Sequence, residues 1–212
     1  PALFVVDAVS AFACMPLKMD EWGIDVVITA SQKGLMLPPG FSVVALNKNA
    51  WIICEQYANL PKWYWDYIRM KDKVREYALP YTPPTGLLFG LKESIKMLEE
   101  EGLENVWDRH NRNAEAVRTG IKALGLELFV HGEWYSDTVT AVKLPDGIKW
   151  EDFSSRLAIN YGVVVGGGLG KLSGKIFRIG HMGILDSLDV YSIVGAIKMC
   201  LEDLGYVKSM DC

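Results

Sequence analysis

Asp25-Val26-Val27-Ile28-Thr29, followed after Ala30 by Ser31-Gln32-Lys33-Gly34, is the stretch that sets the fold class. A short run of β-branched residues closed by a polar, glycine-bearing loop reads as a strand buried in a parallel sheet. Upstream, Leu3-Phe4-Val5-Val6 repeats the form and ends on Asp7. Both runs are expected to be buried on two faces, with Asp7 and Lys33 placed just past their carboxyl ends. In open α/β sheets that edge is where ligands bind. A single charge after a strand is usually a solvated turn residue; two of opposite sign at one edge form a candidate site.

Working outward, the breaker Pro38-Pro39-Gly40 releases a third strand, Phe41 to Leu46, which hands over to a helix near Asn47 to Tyr57. Between the first two strands, Asp20 to Ile24 reads as one short turn of helix. Pro61 to Pro84 carries Trp63, Trp65, Tyr67, Tyr77 and Tyr81 among four prolines, and is expected to be a long ordered crossing rather than a linker. Leu87, Leu88, Leu91, Ile95 and Leu98 recur at helical spacing over Thr85 to Glu101, and Gly102 supplies a stop. A second helix follows from about Leu103 to Leu124. Beyond Gly125 the pattern shifts to short strands (Leu126 to Val130, Thr138 to Leu144, Val163 to Val165, Lys175 to Ile179) and helices Trp150 to Tyr161 and Ser187 to Leu204. An α/β core over 1–102 is therefore expected to precede a small α+β layer over 103–212.

Of the 212 residues, 50% are hydrophobic, enough for a sizeable core, and 22 Lys+Arg against 26 Asp+Glu leave a net charge of -4. No basic field is available to hold a nucleic acid. No apolar stretch approaches the roughly 20 residues of a membrane-spanning helix. Cys14, Cys54, Cys200 and Cys212 form no CxxC pair and no disulfide framework. With no secretory signal at the start, reduced thiols and a cytoplasmic location are expected, a peroxisome or mitochondrion remaining open for a eukaryotic chain. The chain opens on an apolar run without Met or a polar lead-in, so Pro1 reads as a cut within a longer protein.

The wider pattern joins Val6-Asp7-Ala8-Val9-Ser10, Trp22-Gly23-Ile24-Asp25, Ser31-Gln32-Lys33-Gly34 and Pro38-Pro39-Gly40 to Tyr81-Thr82-Pro83-Pro84, Gly167-Gly168-Leu169-Gly170 and Arg178-Ile179-Gly180. In this order and spacing the chain closely resembles the class V aminotransferases, pyridoxal-phosphate enzymes of fold type I, and among them the alanine:glyoxylate and serine:pyruvate branch. The resemblance runs along essentially the whole chain. The family's phosphate-binding loop and cofactor-stacking aromatic, which lie in the first part of its large domain, have no counterpart here. What it implies is part of the large cofactor-binding domain and a connecting helix over 1–102, followed by the small C-terminal domain over 103–212.

The same resemblance assigns roles. Lys33 would form the Schiff base with the cofactor aldehyde and carry a proton during amino transfer. Asp7 would hold the proton on the pyridine nitrogen, making the ring an electron sink. Val9 would pack on a face of the ring, and Gln32 and Thr82 would contact the phosphate, Thr82 from across a homodimer interface. Arg178, whose planar fork suits two-point binding, would grip the substrate carboxylate, with Gly168 in a flexible turn near the substrate. The expected substrates are a small amino acid, such as alanine or serine, and a 2-oxo acid such as glyoxylate or pyruvate. One departure stands out: the tyrosine the family often carries three residues before the threonine is Leu79 here, with Tyr77 or Tyr81 as substitutes.

Rival readings are weaker. Gly166-Gly167-Gly168-Leu169-Gly170 is no dinucleotide fingerprint, because the third glycine position is Ser173 and a strand follows where a helix should. Cysteine desulfurases of the same fold carry a histidine before the lysine, where this chain has Gln32. A phosphonate-using aminotransferase stays open. A non-catalytic dimerisation module would not require Asp7, Lys33, Thr82 and Arg178 together. His110, His131 and His181 show no metal-ligand spacing.

Overall fold

A computed structural model describes residues 2–57, 59–132 and 134–206; Cys212 lies outside them. The chain divides into two compact units, Pro1–Glu101 and Gly102–Cys212. In the first, β1 (Val5–Asp7), β2 (Val26–Ala30) and β3 (Ser42–Leu46) form one sheet in that order. β1 and β2 run parallel, with Asp7 opposite Ile28, and the ladder extends one residue as the Ala8 N–H donates to the Ile28 carbonyl at 2.8 Å. β3 pairs with β2 antiparallel. The connection over 31–41 holds no crossover helix, so the chain can only fold back. This refines the expected, mostly parallel sheet to a mixed one.

Among the described residues β1 is not covered on both faces: Phe4 is 53% and Val5 51% exposed. β1 has β2 as its single neighbour among the described residues, and only Val6 and Ala8 reach the small core around Ile24 and Val27. The amino ends of these strands are stapled by buried Asp25. Its Oδ2 accepts the Phe4 N–H at 2.8 Å, and its Oδ1 accepts the Asn47 side-chain amide at 2.8 Å. Asn47 also caps α1 (Lys48–Gln56), accepting the Ala50 N–H through Oδ1. These bonds hold the Asp25 carboxyl below its ordinary pKa of 3.8.

The 20–24 segment is a turn closed by Gly23 at φ +64°, not a helical element. The aromatic crossing contains a helix that periodicity did not reveal, α2 (Tyr67–Arg75), which buries no residue and is started by Asp66 accepting the Ile68 and Arg69 N–H groups. α3 (Thr85–Glu101) closes the unit.

In the second unit, α4 (Leu103–Ala123), α5 (Trp150–Tyr161) and α6 (Ser187–Asp203) accompany an antiparallel sheet of β4 (Val139–Lys143), β6 (Ile176–Gly180) and β5 (Gly166–Gly167), in the order β4-β6-β5. The strand expected over 126–130 shrinks to a bridge of Leu128 with Val142, and the one expected over 163–165 moves to the two glycines that follow. Phe153 and Phe177, with ring centroids 4.9 Å apart, centre a core that takes Val117 and Ile121 from α4 and Ile197, Cys200 and Leu201 from α6. Along β6, Phe177 and Ile179 point into this core, so period-2 alternation turns Arg178 to the other face.

Candidate active site

Because β1 and β2 are parallel neighbours, their carboxyl ends lie side by side, and this places Asp7, Val9, Gln32 and Lys33 along one sheet edge. Asp7 ends β1, and its Oδ1 accepts the Val9 N–H at 2.9 Å, turning the chain sharply out of the strand. Oδ2 has no hydrogen-bond partner among the described residues. Val9 and Lys33 are half-buried, and Gln32 is exposed. The Lys33 ammonium forms no hydrogen bond or ion pair among the described residues, and none joins it to Asp7.

Two residues that sequence reading passed over hold this loop. Ser31 is fully buried and donates its hydroxyl to the Pro38 carbonyl at 2.8 Å, while its backbone carbonyl accepts the Leu37 N–H at 3.0 Å. Gly34 is enclosed so closely that a Cβ there would sit 2.1 Å from the Phe12 carbonyl oxygen and 2.8 Å from Cys14 Sγ. The loop after β1 and the loop after β2 are thus locked together beside Lys33. Each also holds a non-glycine residue in left-handed backbone, Ala13 at φ 65° and Met36 at φ 58°. Such strain persists only where the surroundings over-determine it, and it clusters at functional sites. The glycine after the lysine was the only trace of this in the sequence.

From Leu35 the chain runs antiparallel to α3. Ser94 donates to the Leu35 carbonyl at 2.6 Å, and the vacant Cβ positions of Gly90 and Gly40 face the Leu37 and Leu87 side chains. Thr82, exposed and three residues before α3, therefore lies beyond the end of this run that is remote from Lys33. The structure does not bring Thr82 to the sheet-edge group. Of the two tyrosines near it, Tyr81 donates its hydroxyl to the Trp63 carbonyl and stacks 4.5 Å from Tyr64, whereas Tyr77 is fully exposed at φ 56°.

Arg178 and Gly168 belong to the second unit. Arg178 is half-buried on β6, its Nε donating to the Gly167 carbonyl at 2.9 Å, and no carboxylate pairs with it among the described residues. The turn at Gly168 is tied down rather than flexible: its N–H donates to the Ile176 carbonyl at 3.0 Å, and a Cβ would lie 2.0 Å from the Leu172 carbonyl oxygen. His110 and His181 are buried structural residues, and His131 is exposed beside Glu127 at 3.5 Å.

The family model for class V aminotransferases matches residues 1–174, and the chain belongs to that family. Its fold is the α/β fold of these pyridoxal-phosphate enzymes of fold type I. It is 42% identical over 97% of its length to the L-aspartate–glyoxylate aminotransferase of Paracoccus denitrificans, covering 52% of that protein. To the serine–glyoxylate aminotransferase of Methylorubrum extorquens it is 40% identical over 97% of its length, covering 52% of the relative. The solved ureidoglycine–glyoxylate aminotransferase of Bacillus subtilis superposes with a TM-score of 0.90 at 31% identity, over 99% of this chain and 55% of that one. The chain spans about half the length of the curated relatives it matches.

Pyridoxal phosphate is the cofactor that membership implies, and the sheet edge fits it. Among the described residues, an amine with no partner follows β2 and a carboxylate with one oxygen uncommitted ends its parallel neighbour β1, as a covalent link and a pyridinium contact require.

Proposed function

We propose that the protein carrying this chain is a pyridoxal-phosphate-dependent aminotransferase that moves an amino group from a small amino acid to a 2-oxo acid such as glyoxylate or pyruvate. The observation that carries this reading is the pairing of Asp7 and Lys33 at adjacent carboxyl ends of parallel strands in a class V chain. The glyoxylate named for all three relatives supports the choice of acceptor.

Bound at this edge, the cofactor supplies an aldehyde that exchanges amines and a ring that withdraws electrons. Lys33 Nζ would link to it covalently and then move a proton at the substrate Cα. Asp7 Oδ2 would hold a proton on the ring nitrogen, Val9 would pack on the ring, and Gln32 would donate to the phosphate. Arg178 would orient the substrate through its carboxylate, beside the turn that contains Gly168. Thr82, remote from Lys33 in its own chain, suits a phosphate contact made to a second subunit. A homodimer is proposed on that ground and on the exposure of Trp63 and Trp65, 71% and 77%. The compartment proposed is a reducing one, the cytoplasm first.

Borohydride reduction of the cofactor-loaded protein followed by peptide mapping tests the assignment. The label is expected on Lys33, and a label on any other lysine would refute it. The 212 residues alone, which span about half the length of the relatives, are expected to show little or no turnover with pyridoxal phosphate, an amino donor and glyoxylate. Turnover at ordinary enzymatic rates of about 1 per second or more would contradict that.

A further inference from the structure

Arg178 is on β6 opposite Gly166, and three consecutive glycines run past it; two of them, Gly167 and Gly168, have no room for a Cβ, and the first lies against the Arg178 guanidinium. A Cβ on Gly166 would sit 3.3 Å from Arg178 Nη2 and 3.6 Å from both Cζ and Nε. A Cβ on Gly167 would sit 2.9 Å from Trp150 Cζ2 and 3.0 Å from Cε2. A Cβ on Gly168 meets the Leu172 carbonyl. None of the three has a positive φ. Gly167 and Gly168 are therefore required for space and not for conformation, while a Cβ on Gly166 would press on the end of the Arg178 side chain.

We infer that β5 is a template that aims the Arg178 guanidinium, and that Trp150 is a positioning residue acting on it through Gly167. The inference rests on the reading that Arg178 takes the substrate carboxylate. Arg offers a carboxylate two bidentate edges, Nε with Nη2 or Nη1 with Nη2. The Nε–H is spent on the Gly167 carbonyl at 2.9 Å, so only the terminal Nη1–Nη2 edge remains for a two-point contact. The bare backbone of Gly166 lets the guanidinium lie close against β5. Behind it, the Trp150 indole fills the place where Gly167 has no side chain, and is itself backed by Phe153 at 6.3 Å between ring centroids. The chain of contact runs from the Phe153 core through Trp150 and the Gly167 carbonyl to Nε, and it fixes a side chain that would otherwise sample many rotamers.

The experiment uses the full-length enzyme with Gly166→Ala, Trp150→Ala, Trp150→Phe and Arg178→Ala. It measures kcat and KM for the amino donor, the Kd of a small monocarboxylate inhibitor lacking an amine, and thermal unfolding. Gly166 is exposed, so alanine there should leave the unfolding temperature alone while displacing Nη2. Because Nη2 need give only by a few tenths of an ångström, KM and inhibitor Kd should rise together by roughly two- to tenfold, as expected for weakening a hydrogen bond, with a smaller change in kcat. Trp150→Ala should act in the same direction, and phenylalanine should restore part of the loss. If Trp150→Ala does not fold, Gly166→Ala decides. Unchanged KM and Kd in Gly166→Ala, or a loss confined to kcat, would overturn the template. Unchanged Kd in Arg178→Ala would instead remove the carboxylate reading beneath it.

Discussion

Gly34, beside Lys33, shows how little freedom a loop residue can have. With the Phe12 carbonyl 2.1 Å from where its Cβ would be, Gly34→Ala must push the two strand-end loops apart. Overpacking of this kind costs about 1–3 kcal/mol. Urea unfolding should show that loss together with weaker cofactor uptake, and an unchanged midpoint would mean the loops yield freely. Asp7→Asn is a different experiment, because Asp7 is exposed and its Oδ1 contact to the Val9 N–H can be kept by an amide oxygen. Cofactor binding is expected to survive in part while the half-reaction with the amino donor slows strongly, since the ring nitrogen would lose the ion pair proposed for it. Equal rates in stopped-flow measurements of the two proteins would remove the role from Asp7.

α6 and α2 mark the two extremes among the elements. α6 begins at a capping box in which Asp186 accepts the Leu188 and Asp189 N–H groups and Asp189 returns a bond to the Asp186 N–H. It then delivers Val190, Ala196, Ile197, Cys200 and Leu201 to the core. Asp186→Ala is expected to cost about 1 kcal/mol, the usual value of such a cap. Phe153→Ala, which empties the centre of that core, should cost about 3–5 kcal/mol. A thermal melt in which the cap matters more than the phenylalanine would contradict this account of the unit. α2, by contrast, buries nothing, and Arg69 lies 4.4 Å over the Trp63 ring on its exposed side.

Across the molecule, acid is expected to act through two buried polar groups in succession. His181 donates from Nδ1 to the Asp137 carbonyl at 3.1 Å and accepts the Thr140 hydroxyl at Nε2, 2.9 Å away. Burial, with the Arg118 and His110 side chains nearby, lowers its pKa from 6.5 to about 4. The unfolded chain therefore takes up a proton below pH 6.5 that the folded one refuses until about pH 4. Stability falls across that window, by about 3 kcal/mol in total, and levels off below it. The Asp25 carboxyl, held below its ordinary 3.8, contributes stability that is present above that value and is lost as pH drops further. Denaturant titrations from pH 7 to 4.5 should show a shallower decline in His181→Asn than in the parent. An identical slope would mean that His181 is not the group responsible.

The sequence by itself determined the class of fold, most helix positions and the sheet-edge pair, because these follow from local signals. The β-branched runs at Val26 and Val43, the helical spacing of Leu87 to Leu98, and glycine stops at Gly102 and Gly125 each act over a few residues. The order Asp7, Lys33, Thr82, Arg178 was legible as a resemblance for the same reason. Only the tertiary structure decided the antiparallel return of β3 and the remoteness of Thr82 from Lys33. It also brought Gly34 against the loop after β1 and Trp150 against Gly167. These depend on which surfaces meet: a Cβ is forbidden at Gly34 by Phe12 and at Gly167 by Trp150, positions 22 and 17 residues away. No periodicity records such encounters, since they arise when packed segments compete for the same volume.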